Sequence, residues 1–204
     1  MTLTTCEARG RVGFLQEFVR APFDVGAIAP SGRLLSNHVA LPVPEAGDPL
    51  VVEIGPGTGA FTAAIEQRLA GRGTHVAVEI NDRFARMLNT RYPNVDVVTA
   101  DAGDLEQLLL ARGHPRADII VSGLPWTAFA AARQEAVLDG AVAGLAPDGT
   151  FTTFGYAHMR WTPPARRFRR LLDSRFEEVV TGRTIWANAP PAFVYYCRRP
   201  RPSR

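Results

Sequence analysis

The chain contains no lysine; all 23 of its basic residues are arginines. Its two cysteines, Cys6 and Cys197, are too few and too far apart for a disulfide framework or a metal-ligand spacing. No apolar run approaches the roughly 20 residues that a membrane-spanning helix needs. Met1 to Gly10 lacks the apolar stretch of a secretory signal, so the expected location is cytoplasmic. No internal repeat is visible, which sets repeat architectures aside. What remains is a 204-residue chain, 46% hydrophobic and 21% charged, able to bury one core without disulfides or metal ions.

The distribution of arginine says more than the net charge of +3. From Arg160 to Arg204 eleven arginines face three acids (Asp173, Glu177 and Glu178), a local net charge of +8. The preceding 159 residues carry twelve arginines and seventeen acids, a net −5. Such asymmetry suits a C-terminal third that meets something anionic, a lipid surface or a nucleic acid. A solvated arginine-rich face is the plainer alternative.

Periodicity predicts a helix over residues 7–20, with Val12, Leu15, Phe18 and Val19 on one stripe. Arginines 9, 11 and 20 flank that stripe, as in helices that lie on a membrane surface. A turn-rich connector, Ala21 to Pro30, leads to Ser31, placed to N-cap a helix through about residue 40. From Leu50 on, short apolar runs alternate with helical stretches. Strands are expected at 50–54, 75–80, 95–99, 117–121 and 149–156, with helices at 59–70, 82–91, 104–111, 128–145 and 164–173. Two further extended runs, 176–186 and 192–197, have no helix between them and should pair antiparallel at the sheet edge. The alternation implies an α/β domain, a mostly parallel sheet with helices on both faces. The expected division is an N-terminal helical lid over 1–48, a core domain over 49–197 and a disordered basic tail over 198–204.

The first strand runs into Glu53-Ile54-Gly55-Pro56-Gly57-Thr58-Gly59 before a helix opens. Glycines there allow a tight turn and a close approach of backbone N–H groups to a ligand, and the helix N-terminus favours an anionic group. The spacing also satisfies a loose dinucleotide fingerprint. Glu53 tips the choice, because a carboxylate at the strand end repels a pyrophosphate and suits an ammonium group. Glu79 ends the second strand, and Asp101-Ala102 follows the third; acids at these places accept hydrogen bonds from ribose hydroxyls and from an exocyclic amine.

The order Glu-x-Gly-x-Gly-x-Gly, an acid about 20 residues on, then Asp-Ala, resembles the class I methyltransferases. The resemblance implies S-adenosylmethionine as cofactor, held by Glu53, Gly55, Gly57, Thr58, Gly59, Glu79, Ile80, Asp101, Ala102 and Ser122. It also implies their Rossmann-like fold: a seven-stranded, mostly parallel sheet with the last strand antiparallel. Three further segments are similar to the bacterial phospholipid N-methyltransferases: Val25-Gly26-Ala27-Ile28-Ala29-Pro30-Ser31-Gly32-Arg33, Ser122-Gly123-Leu124-Pro125, and Trp186-x-Asn188-x-Pro190-Pro191-Ala192. That family implies a peripheral enzyme on an anionic membrane surface, with a lipid substrate, phosphatidylethanolamine methylated towards phosphatidylcholine, and no metal. Gly32 and Trp126 depart from its pattern.

Ligands of open parallel sheets bind beyond the strand C-termini, so Ser122, Gly123, Leu124 and Pro125 are expected at the reacting methyl group. The carboxyl-side carbonyls of Ser122 and Gly123 are candidate acceptors for a substrate amine. Tyr156 and His158 are candidate general bases. Trp126 and Tyr156 offer faces for a cation, and Ser31 and Arg33 stand ready for a lipid phosphate. Two alternatives share the cofactor arrangement, an rRNA adenine N-methyltransferase and a small-molecule N- or O-methyltransferase. Against the first stand the missing Asn before Leu124-Pro125 and the lack of an appended RNA-binding domain, so nucleic acid is not the expected partner. A fourth reading is a chain that binds cofactor or membrane without turnover.

Overall fold

A computed structural model describes residues 30–201, with backbone alone at Pro30 and Ser31. The expected helix over 7–20, most of the connector, Cys6 and the last three residues lie outside the described residues. In chain order the elements are α1 (Pro30–Val39), β1 (Leu50–Ile54), α2 (Ala60–Leu69), β2 (Thr74–Glu79), α3 (Asp82–Arg91), β3 (Asp96–Thr99), α4 (Leu105–Ala111), β4 (Ala117–Ser122), α5 (Ala131–Ala143), β5 (Leu145–Tyr156), α6 (Pro163–Arg175), β6 (Phe176–Thr181) and β7 (Ala192–Pro200). They build one seven-stranded sheet in the order β3-β2-β1-β4-β5-β7-β6. β1 to β5 pair in parallel, and β7 runs antiparallel to both of its neighbours.

Alternation along the strands divides the core into two layers. Val52 and Ile54 of β1 and Ile120 of β4 face one layer with Leu105, Leu109, Leu138 and Phe168 from the helices. Val51, Ile119 and Val121 face the other, with Phe61 and Ile65 of α2 and Leu35 and Val39 of α1. Every residue of β1 is buried, as expected of a central parallel strand covered on both faces. The order reverses between β1 and β4, which opens a crevice beyond their C-terminal ends, the usual ligand position in such sheets.

The described end of the expected lid segment packs on the core: Leu35, Val39, Ala40 and Val43 are buried in the second layer, and the Val39 carbonyl accepts from the Thr152 hydroxyl at 2.9 Å. Three expectations need correction. First, α1 begins at Pro30, whose fixed φ suits a first helical position, so Ser31 sits within the helix and does not cap it. Second, the expected strand over 176–186 stops at Thr181, and Ile185 makes only an isolated bridge to Ala192. Third, the basic tail starts three residues late. Arg198 and Arg199 belong to β7, and Arg199 pairs with Glu177 at 2.9 Å and also reaches Glu178. The two last strands do pair antiparallel, and the later one takes the inner place. Composition explains this: Ala192 to Cys197 is almost wholly apolar and buried, whereas Phe176-Glu177-Glu178-Val179-Val180-Thr181 is polar enough for an edge.

Candidate active site

The bend after β1 has Gly55, Gly57 and Gly59 all at positive φ, +70°, +55° and +86°. At Gly57 no atom lies within 4 Å of where a Cβ would stand, so the bare backbone borders open space. Its N–H donates to Glu79 Oε2 at 3.1 Å, and the Asn81 N–H donates to Oε1 of the same carboxylate at 2.8 Å. Glu79 thereby ties the first bend to the second. Burial pushes its carboxyl above the ordinary carboxylate range, against the opposing pull of those backbone donors. Thr58 and Gly59 complete the bend, with Gly59 capping α2. Ile80, next after Glu79, is 56% exposed and offers an apolar surface beside the crevice.

Glu53 is fully buried. One carboxylate oxygen, Oε2, accepts from the Thr62 hydroxyl at 2.6 Å and lies 3.5 Å from His75 Nε2. The other, Oε1, has no hydrogen-bond partner among the described residues. His75 reaches Glu66 through Nδ1 at 2.8 Å. Burial alone would depress the imidazole, but the hydrogen bonds and charges of Glu53 and Glu66 outweigh it and hold His75 above its ordinary 6.5. His75 was invisible as a site residue because nothing nearby in sequence marks it; only its inward place on a buried strand singles it out.

Asp101 caps the short turn Ala102–Asp104, accepting from the Gly103 N–H at 2.8 Å. Arg133 of α5 grips the same carboxylate with two nitrogens, at 2.8 and 2.9 Å. Burial works against ionisation here, but the Arg133 and Gly103 hydrogen bonds prevail and hold the Asp101 carboxyl below its ordinary range. Oδ2 keeps one acceptor position free, while Ala102 is buried beneath it.

Beyond β4, the Gly123 N–H donates to the Ile54 carbonyl at 2.9 Å, and a Cβ at Gly123 would collide with the Gly55 carbonyl oxygen. The two crevice loops therefore touch backbone to backbone. The Ser122 hydroxyl accepts from the Trp126 indole N–H at 3.0 Å, which is shared with Thr153 Oγ1 at 3.0 Å. Thr153 in turn donates to the Ser122 carbonyl at 3.2 Å, so that carbonyl is already engaged. No donor among the described residues reaches the Gly123 carbonyl. Trp126 is 3% exposed and stacked on Phe168 with centroids 4.5 Å apart, which covers one ring face. Gln134, wholly buried, donates to the Trp126 carbonyl and accepts from Arg167 at 3.0 Å. Gln134 and Arg133 carry no sequence signature; they are adjacent helix residues that fasten the two halves of the crevice.

Next to this loop lies a shallow, largely apolar recess that opens to solvent. Leu124, Pro125, Trp126, Tyr156, Met159 and Arg160 are among its walls. Burial raises the Tyr156 phenol above its ordinary value, so it keeps its proton at neutral pH. His158 is exposed and stacked against Tyr156, centroids 5.9 Å apart. Arg33 is exposed on α1 and does not line the recess. Among the described residues no cluster of His, Cys, Asp and Glu has metal-binding geometry, and no helix is long and apolar enough to cross a membrane.

Residues 51–149 match the family described as "Methyltransferase domain". Across 91% of this chain and 94% of the relative, it is 36% identical to an ornithine lipid N-methyltransferase from Singulisphaera acidiphila. The chain belongs to the class I S-adenosylmethionine-dependent methyltransferases. A ribosomal RNA large subunit methyltransferase E from Alcanivorax borkumensis is 27% identical over 71% of each chain. The fold of this methyltransferase is shared with an O-methyltransferase from Bacillus cereus solved with S-adenosylhomocysteine, at a TM-score of 0.65 and 17% identity over 92% and 89% of the two chains. S-adenosylmethionine is accordingly its methyl donor. The crevice residues fit that group: a buried carboxylate oxygen without a partner meets the need of an ammonium, and the bare backbone at Gly57 leaves room beside it.

Proposed function

We propose that this methyltransferase transfers methyl groups to the primary amine of a membrane aminolipid. The observation that carries the reading is the near full-length likeness to a relative named for N-methylation of ornithine lipid. The three segments similar to phospholipid N-methyltransferases point to phosphatidylethanolamine, methylated towards phosphatidylcholine; phosphatidylethanolamine and ornithine lipid each present a primary amine on the head group. The basic C-terminal third supports peripheral attachment to an anionic cytoplasmic leaflet.

When bound, S-adenosylmethionine supplies an already activated methyl group. The protein's task is then orientation. Glu53 Oε1 would accept from the ammonium, Glu79 from the ribose hydroxyls, and the free position of Asp101 Oδ2 from the adenine amine, with Ile80 against the ring and Ala102, Gly55, Thr58 and Gly59 shaping the walls. On the acceptor side the Gly123 carbonyl would orient the amine N–H, and the apolar recess would exclude water. Ser122 and Trp126 act as positioning residues that fix the loop around Leu124 and Pro125. Of the two candidate bases, His158 would take the proton, because the Tyr156 phenol holds its own. Ser31 and Arg33 remain candidates for a lipid phosphate.

Expression in a bacterial host that lacks both phosphatidylcholine and methylated ornithine lipid tests this. Mass spectrometry of extracted lipid should show one, two or three added methyl groups on an aminolipid, and the head group that gains them names the substrate. Unchanged lipids in a host that contains both head groups reject the reading. A second reading, methylation of ribosomal RNA, rests on shorter likenesses, among them 34% identity over 46% of this chain to a probable small subunit methyltransferase A from Pyrobaculum aerophilum. Label entering ribosomal RNA instead of lipid would favour it.

A further inference from the structure

Two of the three tryptophans are exposed to a degree that packing does not explain. Trp161 is 75% exposed and Trp186 77%, whereas Trp126 is buried. The other exposed large apolar side chains are single aliphatic residues, ordinary on a protein surface. Tryptophan differs from them: its ring combines a large apolar area with one N–H donor, a combination that favours the boundary between hydrocarbon and water.

Both tryptophans leave the sheet at the same end, the end that bears the candidate active site. Tyr156, the last residue of β5, pairs with Ala192, the first of β7. Ile185, just before Trp186, bridges to that same Ala192, and the Ala157 N–H donates to the Pro191 carbonyl at 2.8 Å. Trp161 follows five residues after Tyr156. Arg160 links it to the recess, its guanidinium lying 5.5 Å from the ring centroids of both Trp161 and Phe193. Arg160 and Phe193 are themselves recess walls.

The surroundings have one sign of charge. Residues 157–172 contain five arginines and residues 182–197 one, with no Asp or Glu in either stretch. Arg167 turns inward to Gln134 and Arg169 pairs with Asp173 at 2.9 Å. Arg160, Arg166, Arg170 and Arg183 are exposed and make no ion pair with any described residue. The other two acids of this third of the chain, Glu177 and Glu178, lie at the opposite end of the sheet, engaged with Arg199.

We infer that Trp161 and Trp186 are interfacial anchors that seat the mouth of the recess on an anionic lipid surface, with Arg160, Arg166, Arg170 and Arg183 meeting the lipid phosphates. The inference rests on the aminolipid reading above and makes it specific: the lipid amine enters the recess without leaving the bilayer plane. The attachment is additional to whatever residues 1–29 contribute. Aromatic and basic residues together also suit single-stranded nucleic acid, but placement at the recess mouth of a chain so similar to a lipid methyltransferase favours the membrane.

The test uses the full chain, the single variants Trp161→Ser and Trp186→Ser, and the double variant, each checked for an unchanged melting curve and unchanged cofactor affinity. Vesicles of equal parts phosphatidylglycerol and phosphatidylcholine, with and without brominated acyl chains, are the probe. Bromine should quench tryptophan emission in the wild type, less in each single variant, and not in the double variant, which keeps only buried Trp126. Vesicle co-sedimentation should fall roughly tenfold in the double variant. Methylation of aminolipid in vesicles should fall with it, while methylation of a water-soluble short-chain aminolipid holds. Unquenched wild-type emission, or full vesicle binding by the double variant, overturns the inference, as does binding of an RNA oligonucleotide in place of vesicles. Quenching without methylation of either lipid form upholds the anchors and removes the aminolipid reading.

Discussion

The two flanks of the sheet are made from opposite chemistries. On the β1–β3 side each strand end carries a carboxylate, Glu53, Glu79 or Asp101, and almost every carboxylate oxygen is held by a backbone N–H, a hydroxyl or an arginine. On the β5–β7 side the strand ends carry aromatic rings and unpaired arginines, and the recess they enclose is largely apolar. One flank is a polar frame whose groups are fixed before any ligand arrives; the other is a greasy, cationic surface. On the function proposed above, the difference separates the requirements of a polar nucleoside cofactor from those of an amphipathic acceptor; Gln134 and Arg133 join the two flanks at the start of one helix.

Changes on the polar flank should strike cofactor binding and leave the acceptor side intact. The largest effect is expected from Gly57→Arg, which places a side chain at φ +55° into the open space beside the bend. Left-handed backbone costs about 1–2 kcal/mol for an L residue, and the filled space should abolish cofactor binding in calorimetric titration while circular dichroism stays native. Glu53→Gln keeps the shape and removes the charge. It should weaken the cofactor by about 1.5–3 kcal/mol, the worth of a charged hydrogen bond, and leave the KM for the acceptor unchanged.

On the acceptor flank, Trp126→Phe removes the N–H shared by Ser122 and Thr153. Leaving the buried Thr153 hydroxyl without a donor, and Ser122 Oγ with only the Leu124 N–H at 3.4 Å, should cost about 1–3 kcal/mol of stability, seen in chemical denaturation, and lower kcat with cofactor affinity unchanged. Equal losses in both affinities would erase the division between the flanks.

The smallest effect is a pH dependence. His75 titrates above 6.5 in the folded chain, so the stability it adds is complete below that value and is lost as pH rises through the raised one. The gap in melting temperature between wild type and His75→Gln should therefore be widest near pH 6 and close in alkali. A gap that widens instead would mean the imidazole is neutral and Glu53 carries its charge alone.

Much of the polar flank was legible in the sequence because its signals are local. A buried strand, an acid at its end and glycines in the turn follow one another within ten residues, and the strand bounds at 50–54 and the helix at 82–91 coincide with the structure. What escaped is held by contacts between distant segments. His75 meets Glu53 and Glu66 across two elements, and Arg133 reaches Asp101 from a helix 32 positions away. Trp126 reads as a loop aromatic free to face a cation, but Phe168 of α6 covers it. The inner place of β7 depends on which of two extended runs is more apolar, a comparison that no single window contains.

The most direct measurement is transfer of isotopically labelled methyl groups from S-adenosylmethionine to vesicles containing either ornithine lipid or phosphatidylethanolamine, using purified wild type and Gly57→Arg. Label in the organic phase with wild type and none with the variant is the expected result. Wild-type enzyme that binds its methyl donor yet leaves both lipids unlabelled, while methylating a soluble amine or RNA, would contradict the account.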